Sequence, residues 1–470
     1  MRFYFTTVVW GGWHTSIFLD VNLPSLMAPG NLPAFCALHD VTYRIFTSSK
    51  DVKRIKSSAA FQAAAKLVKF EIVELPLENT ADPIAMHHLL WRRSISEARE
   101  AGYMVLFVPP DVAWSDGAFR HVGELVDRGK RAVFITYMRV VSETSVPELQ
   151  ARFLRDAGAV LSASSSELVE IMYRHIHPLT LTYLNDSDNF PVHPEFILWR
   201  VPGQGYLMRV LAREMFCYDP SMFDLNEQAL PAHPLDPALV HFIIDSDDLF
   251  ALSFTPALKD LSWYVERQRL SALRLGSWWL RYDSPANDQV AALYFRVHER
   301  AIDAPAWRRA EIESDALVAR GAAMRELLRF LGGLPTGQHT YLSQTLAALL
   351  STSRMLRALS IKAPATIFVP QDEAVLRFLT ERGSALLSAP GKRELIRLLR
   401  DHIIVGHIKL QQGHSQRLQT AGGGWRNLTW RDETPLIDSI PIESRTMLLG
   451  QHLGYVLDEI LPEVLMADAS

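Results

Sequence analysis

The segment YMVLFVPPDVAWSDGAF, residues 103–119, places two aspartates after a run of apolar residues. A buried strand that stops at two prolines and an aspartate typically presents that carboxylate to a ligand. Mg²⁺ and Mn²⁺ prefer such oxygen ligands, often together with substrate phosphates. Asp111 is therefore a candidate metal ligand, although it also fits the start of a turn. Asp116, which precedes Gly117, fits better as a cap of the following helix.

A second apolar run ends in acidic residues at HFIIDSDDLFALS, residues 241–253. Asp245, Asp247 and Asp248 follow this predicted strand closely enough to act on one ligand. His298 follows the strand-like segment VAALYF and is a further candidate ligand. A lone histidine is more often a packed or surface residue, so both interpretations of His298 stay open.

Two histidines and two arginines lie on the helix predicted at residues 83–101. His88 and Arg92 are four residues apart and share one side of it, next to His87 and Arg93. These side chains can bind phosphate oxygens, or they can form a solvated helix face.

Several common nucleotide and hydrolase motifs are absent. Gly203 and Gly205 form only an isolated Gly-x-Gly, which a tight turn explains. The chain has no Gly-x-Gly-x-x-Gly, no P-loop and no nucleophile elbow, which argues against dinucleotide enzymes, P-loop NTPases and α/β-hydrolases. Cys36 and Cys217 are the two cysteines, and they form neither a disulfide framework nor a zinc-binding spacing.

The elements that must position these residues alternate between strand and helix. Apolar, β-branched segments predict strands, and the intervening segments have helical periodicity. The predicted strands are residues 3–9, 43–49, 70–75, 103–108 and 131–137, and the predicted helices are residues 15–26, 51–68, 83–101 and 117–128. This order predicts an α/β fold with a mainly parallel sheet, whose ligands gather at the carboxyl ends of the strands.

Bulk properties limit the class of protein. The chain has 470 residues, a net charge of −4 and 48% hydrophobic residues. This length predicts more than one domain, and the charge gives no sign of nucleic-acid binding. No segment resembles a signal peptide or a transmembrane helix, so a cytoplasmic location is expected, with a peripheral position at the inner membrane as an alternative.

The first 320 residues resemble a glycosyltransferase of the GT-A fold, the Rossmann-like mixed-sheet domain that uses nucleotide-diphosphate sugars. The resemblance is carried by FYFTTVVW, YRIFTSSKD and MVLFVPPDVAWSDGAF. The last of these is similar to the segment in which the family's Asp-x-Asp motif binds the metal and the donor. Pro109 replaces the first aspartate of that motif, so Asp111 alone is left.

The resemblance implies roles for residues around a nucleotide-sugar. Asp111 and His298 would bind a divalent metal, Mn²⁺ or Mg²⁺, as the cofactor. An inverting transferase needs a general base, and the candidates are Asp245, Asp247 and Asp248, with Asp247 favoured. In a retaining enzyme these aspartates would bind the acceptor. The residues expected around the donor are Thr6, Thr7, Val8, Arg44, Ser48, His88, Arg92 and Asp111.

The C-terminal part of the chain resembles a fasciclin-type domain. APATIFVPQDEAVLRFL (363–379), ELIRLLRDHIIVGHI (394–408) and GYVLDEILP (454–462) are similar to signatures of that family. His402 lies in the second segment, where we expect it to pack and hydrogen-bond in the core. The glycine-rich segment GGLPTGQ, residues 332–338, is the predicted linker.

The sequence thus predicts a bacterial-type glycosyltransferase domain at residues 1–331 and a smaller α+β fasciclin-like domain at 338–470. The enzyme would transfer a sugar from a nucleotide-diphosphate donor to a hydroxyl of a glycan, lipid-linked or small-molecule acceptor. The fasciclin-like domain would bind the acceptor, a protein partner or a second copy of the chain. One alternative is a catalytically inactive GT-A-like scaffold acting through that domain. Another is a nucleotidyltransferase, which the absence of a Gly-rich, Lys-containing loop after the first strand disfavours.

Overall fold

The computed structural model describes most of the chain with several gaps. The described residues are 1–77, 80–191, 195–211, 216–223, 234–257, 269–281, 284–299, 303–330, 364–370, 374, 378, 382, 389–449 and 452–462. The chain separates into two compact units, Met1–Arg269 with Tyr282–Ser314 and Leu270–Arg281 with Asp315–Ser470. The predicted linker at 332–338 lies outside the described residues, so the domain boundaries 1–331 and 338–470 stay a prediction.

Short strands make up the sheets of the first unit. They are β1 (Arg2–Val8), β2 (Asp40–Ser48), β3 (Lys69–Leu75), β4 (Met104–Phe107), β5 (Val112–Trp114), β6 (Ala132–Phe134), β7 (Met138–Val141), β8 (Leu154–Arg155), β9 (Val160–Leu161), β10 (Phe196–Val201), β11 (Gly205–Val210), β12 (Cys217–Tyr218), β13 (Val240–Phe242), β14 (Ala251–Thr255) and β15 (Phe295–His298).

Helices connect most of these strands. In the described residues of the first unit they are Gly12–Ile17, Phe18–Asn22 (a π-helix), Leu23–Leu26, Leu32–Cys36, Ser49–Ser57, Ala59–Ala64, Pro83–Ala101, Ala118–Asp127, Ser142–Phe153, Asp156–Gly158 (3₁₀), Ser165–His175, Pro178–Thr182 and Pro285–Ala291. Ala272–Arg281 and Ala389–Asp401 belong to the second unit, and Ala304–Phe330 has residues in both units.

The main sheet of the first unit has seven strands in the order β13-β6-β12-β4-β1-β2-β3. Strands β4, β1, β2 and β3 are parallel, and β12 runs antiparallel between β4 and β6. All four residues of β4 are buried, as expected for a strand covered on both faces. The predicted α/β class is confirmed as a mixed α/β fold with a large mixed sheet.

Local sequence signals explain the helix Pro83–Ala101. The Asp82 carboxylate accepts hydrogen bonds from the N–H groups of Ile84 and Ala85, and Gly102 ends the helix with φ 67°. The prediction for this helix is confirmed to the residue. Its apolar face is centred on Leu90, Trp91, Ile95 and Ala98, whereas Leu89 is 54% exposed.

Two strand predictions next to candidate site residues need correction. Val290 and Ala291 of VAALYF end the helix Pro285–Ala291, whose N-terminus is capped by the Ser284 side chain, and only Phe295 of this segment lies in a strand. His298 is consequently the last residue of β15 rather than a residue beyond a strand. The stretch 241–253 is also not one strand: β13 ends at Phe242, and the acidic residues lie in a loop before β14.

Two further three-stranded sheets of this unit carry the acidic loop and His298. One has the order β5-β14-β7 and the other β10-β11-β15. In the second sheet Gly205 of β11 pairs with His298. A Cβ at Gly205 would lie 2.0 Å from the carbonyl oxygen of Val297, so only glycine allows this approach.

The second unit is rich in strands. They are β16 (Ala365–Pro370), β17 (Ile403–Val405), β18 (Gln416–Gln419), β19 (Trp425–Arg431), β20 (Thr434–Ile437), β21 (Ile440–Leu449) and β22 (His452–Leu457). They form one sheet in the order β17-β16-β22-β21-β20-β19-β18. Its core contains Phe368, Ile404, Leu428 and Leu457. The ATIFVP part of the first fasciclin-type signature forms β16.

Candidate metal centre

Three candidate residues converge on one point of the first unit. Asp245, Asp247 and His298 each offer a ligand atom, and these atoms all lie within 4.8 Å of one another. The loop after β13 brings the two aspartates to the end of β15, where Asp245 forms a parallel bridge with Arg296. The Ser246 hydroxyl fixes this junction, because it accepts from the His298 N–H at 3.1 Å and donates to the His298 carbonyl at 3.2 Å.

The side chains of this cluster are already ordered around the Asp245 carboxylate. Its Oδ1 lies 2.8 Å from Nε2 of His298 and accepts a hydrogen bond from the Asp247 N–H at 3.0 Å. The His298 side chain is 5% exposed and that of Asp245 is 25% exposed, while Asp247 faces solvent. Two carboxylates and one imidazole suit Mn²⁺ or a similar divalent cation, and the exposed side leaves positions for substrate oxygens.

The remaining predicted base, Asp248, lies outside this cluster. Its N–H donates to the carbonyl of Asp245, and its side chain is exposed. Burial, His121 and Lys130 lower the pKa of His241, and Asp248 opposes that change. Asp248 is therefore a useful control for the carboxylates that do converge.

Asp111 is not part of the three-residue cluster that contains His298. It lies in the turn between β4 and β5, and its carbonyl accepts a hydrogen bond from the Phe254 N–H at 2.8 Å. The Asn22 side chain shapes this turn by donating to the carbonyls of Pro109 and Val112. The Asp111 side chain is half-buried, and its role as a ligand stays a prediction.

Asp116 has a structural role that differs from the predicted one. The cap position of the helix Ala118–Asp127 is Gly117, and no side chain caps that N-terminus. Instead, the Asp116 carboxylate accepts from the Gly30 N–H at 2.7 Å and from the Ser162 hydroxyl at 2.6 Å. It joins two separate loops, and the prediction of a helix cap is wrong.

The predicted nucleoside residues on β1 lie in the interior. Thr6 and Thr7 are fully buried, and Val8 is 2% exposed. The Thr6 hydroxyl is 2.8 Å from that of Ser94, and the Thr7 hydroxyl donates to the carbonyl of Val108. These hydroxyls serve the packing of β1, and a donor contact from this strand stays a prediction.

Arg44 and Ser48 on β2 are also engaged within the protein. The Arg44 guanidinium pairs with Glu71 at 2.8 Å and with Glu97, and it lies 4.6 Å from the centre of the Tyr4 ring. The Ser48 hydroxyl donates to Asp51, which also accepts the Gly11 N–H. Asp51 thus ties β2 to the turn after β1, a link that the sequence does not reveal.

The histidines of the helix Pro83–Ala101 are partly covered by aromatic rings. His87 packs edge-on against Trp91, and burial together with His88 and His14 lowers the pKa of His87 to about 4. Burial and Arg92 lower the pKa of His88, while Asp82 opposes that change. Both imidazoles are therefore neutral near pH 7. Of the predicted phosphate-binding residues His88 and Arg92, the exposed Arg92 is the cationic one.

In the second unit the prediction for His402 is confirmed. Its ring is 3% exposed, with Nδ1 2.9 Å from the carbonyl of Leu398. Nε2 accepts a hydrogen bond from the Leu461 N–H at 3.0 Å, which places the proton on Nδ1. Burial lowers the pKa of His402 to about 4. Both ring nitrogens are satisfied, so this histidine is a packed core residue.

Comparison with known proteins identifies the second unit more clearly than the first. Residues 342–462 match the fasciclin domain family, so this part of the chain is a fasciclin domain. No curated protein matches the chain.

Solved structures that match include S. aureus TarS, at 10% identity and a TM-score of 0.28. That match covers 95% of this chain, which spans 62% of the TarS chain. A TM-score this low does not establish a common fold, so the first unit is argued from its own topology and residues. Among the described residues, no helix combines the length and the apolar character that a membrane crossing requires.

Proposed function

We propose that the first unit is a metal-dependent glycosyltransferase whose cation is held by Asp245, Asp247 and His298. The observation that carries this proposal is the convergence of the three side chains within 4.8 Å. In this assignment the Asp-x-Asp pair is Asp245-Ser246-Asp247, which follows β13, rather than the incomplete pair at Pro109 and Asp111. Asp247, predicted as the general base, becomes a metal ligand.

The position of the cluster supports this proposal. In open α/β sheets, ligands bind beyond the carboxyl ends of the strands. The acidic loop follows β13, which is parallel to β6 in the main sheet. The antiparallel β12 within an otherwise mainly parallel sheet is also consistent with the mixed sheet that the GT-A resemblance implies. Fold analogy supports the class of reaction and leaves the substrates open.

Each residue of the cluster has a distinct task in this proposal. A bound divalent cation would neutralise the charge that develops on the leaving diphosphate. Exposed Asp247 and buried His298 would both hold this cation, and the exposure of Asp247 would leave room for substrate oxygens. Asp245 orients His298 through its 2.8 Å contact and Asp247 through the backbone N–H. The phosphates would occupy the open coordination positions.

A scaffold protein is the second candidate function. The confirmed fasciclin domain favours it, since such domains mostly serve adhesion or binding. In this alternative the contact between Asp245 and His298 is simply a half-buried hydrogen bond, and no nucleotide binds.

Calorimetric titration of the full chain distinguishes these functions. UDP, GDP, CDP and dTDP are titrated with and without Mn²⁺ into the wild type and into Asp247→Asn, Asp111→Asn and Asp248→Asn. We expect micromolar binding of one diphosphate that requires Mn²⁺, a loss of at least about tenfold in Asp247→Asn and no change in the control Asp248→Asn.

The Asp111→Asn variant decides between the two metal assignments. If Asp111→Asn loses nucleotide binding and Asp247→Asn keeps it, the metal site lies in the turn between β4 and β5. Absence of nucleotide binding in the wild type would contradict the transferase and favour the scaffold.

A further inference from the structure

A pocket of about 380 Å³ lies beside the hairpin of β10 and β11 in the first unit. Its tight turn is closed by a hydrogen bond from the Gln204 N–H to the carbonyl of Val201, with Gly203 at φ 68°. The helix Ser165–His175 contributes Tyr173, and the residue after β15 contributes Glu299. This volume is close to the lower end of the range for small-molecule sites.

Two tyrosines give the pocket an aromatic wall. The rings of Tyr173 and Tyr206 stack with their centres 5.7 Å apart and their planes at 24°. The Tyr173 hydroxyl is buried and has no hydrogen-bond partner among the described residues. A buried hydroxyl without a partner is costly, and a ligand hydroxyl that the Tyr173 side chain shifts to meet would remove that cost.

The charges at the pocket disfavour a phosphate and favour a neutral ligand. The Arg200 guanidinium is paired with Asp186 at 3.1 Å, so its charge is already partly neutralised. Glu299 is exposed at the rim and lies near enough to Tyr173 to raise its pKa, after the larger effects of burial and of Tyr206. A carboxylate at the rim repels anions and accepts hydrogen bonds from hydroxyl groups.

The pocket and the metal cluster share the carboxyl end of β15. Tyr206 pairs with Val297 and Gly205 pairs with His298. Strand alternation directs Tyr206 and Val297 to one face of the sheet and His298 to the other. Glu299 is the residue after His298 and lies just beyond the end of β15. The Cα atoms of these two residues are about 3.8 Å apart.

We propose that this pocket binds a neutral pyranose ring, which packs against Tyr173 and Tyr206 and donates hydroxyl hydrogen bonds to Tyr173 and Glu299. Aromatic faces contact the apolar CH groups of such a ring, and the carboxylate and hydroxyl bind its polar edge. The identification of this sugar with the acceptor rests on the proposed function, whereas the binding itself does not. The pocket thus narrows the acceptor class to a hexose or a hexose-terminated glycan.

The test is saturation-transfer NMR on the full chain with the methyl α- and β-pyranosides of glucose, galactose and mannose. Three variants probe the pocket: Tyr206→Ala removes aromatic surface, Glu299→Gln keeps the shape without the charge, and Tyr173→Phe removes one hydroxyl. The matched controls are Tyr103→Phe, which stacks on Tyr4 elsewhere, and Glu313→Gln on an exposed helix position.

We expect saturation of the ring CH protons of at least one glycoside with wild type, and affinities about tenfold weaker in Tyr173→Phe and Glu299→Gln. Because the buried Tyr173 hydroxyl has no partner among the described residues, Tyr173→Phe should keep or raise the melting temperature. No saturation of any of the six glycosides, or equal affinities in these two variants and the controls, would overturn the proposal. Inorganic phosphate that competes with the glycoside would also overturn it.

Nucleotide titration of the same variants separates this pocket from the metal centre. We expect Tyr173→Phe and Glu299→Gln to keep wild-type Mn²⁺-dependent nucleotide binding. If the wild type binds a glycoside but no nucleotide, the transferase proposal fails and the pocket stands. If it binds a nucleotide but no glycoside, the pocket proposal fails and the transferase stands.

Discussion

At the scale of single residues, Asp116 shows that an aspartate after an apolar strand can be structural. Its two oxygens bind the Gly30 N–H and the Ser162 hydroxyl, and a Cβ at Gly30 would lie 2.7 Å from Asp116 Oδ1. We predict that Asp116→Ala lowers the free energy of unfolding by about 1.5–3 kcal/mol, because hydrogen bonds to a charged group are lost. Chemical denaturation measures this, with Asp248→Ala as the exposed control. A stable Asp116→Ala variant that no longer binds nucleotide would instead make Asp116 a ligand.

His402 gives a prediction for the dependence of stability on pH. The pKa of His402 is about 4 in the folded protein and has the ordinary value of 6.5 when unfolded. Below pH 6.5 the unfolded chain binds a proton that the folded chain does not, so stability falls as the pH decreases from 6.5 to about 4. His402→Leu should cost about 1–3 kcal/mol at pH 7 and flatten this slope. Denaturation at pH 7 and pH 5 tests it, and an equally steep slope in His402→Leu would assign the effect elsewhere.

At the scale of elements, Gly205 controls the strand pairing that positions His298. We predict that Gly205→Ala destabilises the first unit by about 3 kcal/mol or more, because its Cβ would lie 2.0 Å from the Val297 carbonyl and force β11 from β15. The same variant should lose Mn²⁺-dependent nucleotide binding. Gly12→Ala is the control, since no atom lies within 4 Å of a Cβ there. Thermal melting and titration of both variants check this, and an unperturbed Gly205→Ala would show that the strands can shift.

The sequence predicts elements well where its signals are local. Asp82 and Gly102 bound a helix whose limits the sequence predicts to the residue, and the apolar run that stops at two prolines predicts β4. VAALYF has the same apolar character as β4, but its first two residues end the helix that Ser284 and Pro285 start, and only Phe295 lies in β15. Apolar content alone cannot separate a short strand from a buried helix turn.

At the scale of the whole molecule, the candidate site could be predicted only in part. Asp245, Asp247 and His298 were all identifiable, but their convergence depends on a bridge between Asp245 and Arg296, 51 positions apart in the sequence. The resemblance to GT-A enzymes pairs His298 with Asp111 as metal ligands, because similarity between sequence motifs gives no distance between the two side chains. The pocket of Tyr173 and Glu299 had no sequence signal beyond the glycines of the β10–β11 turn. The fasciclin domain was predictable, since its signatures are contiguous.

The two compact units have separate apolar cores, which predicts that stability changes stay within one unit. We expect two unfolding transitions in calorimetry, because each core can melt cooperatively by itself. Asp116→Ala should lower the transition of the first unit, and His402→Leu should lower that of the second. In the double variant the two shifts should add within about 0.5 kcal/mol, as for independent sites. A single transition that both variants lower equally would mean that the units unfold together. At pH 5 both transitions should fall, because the pKa of His87 in the first unit is also lowered to about 4, and His402→Leu should reduce only the fall of the second.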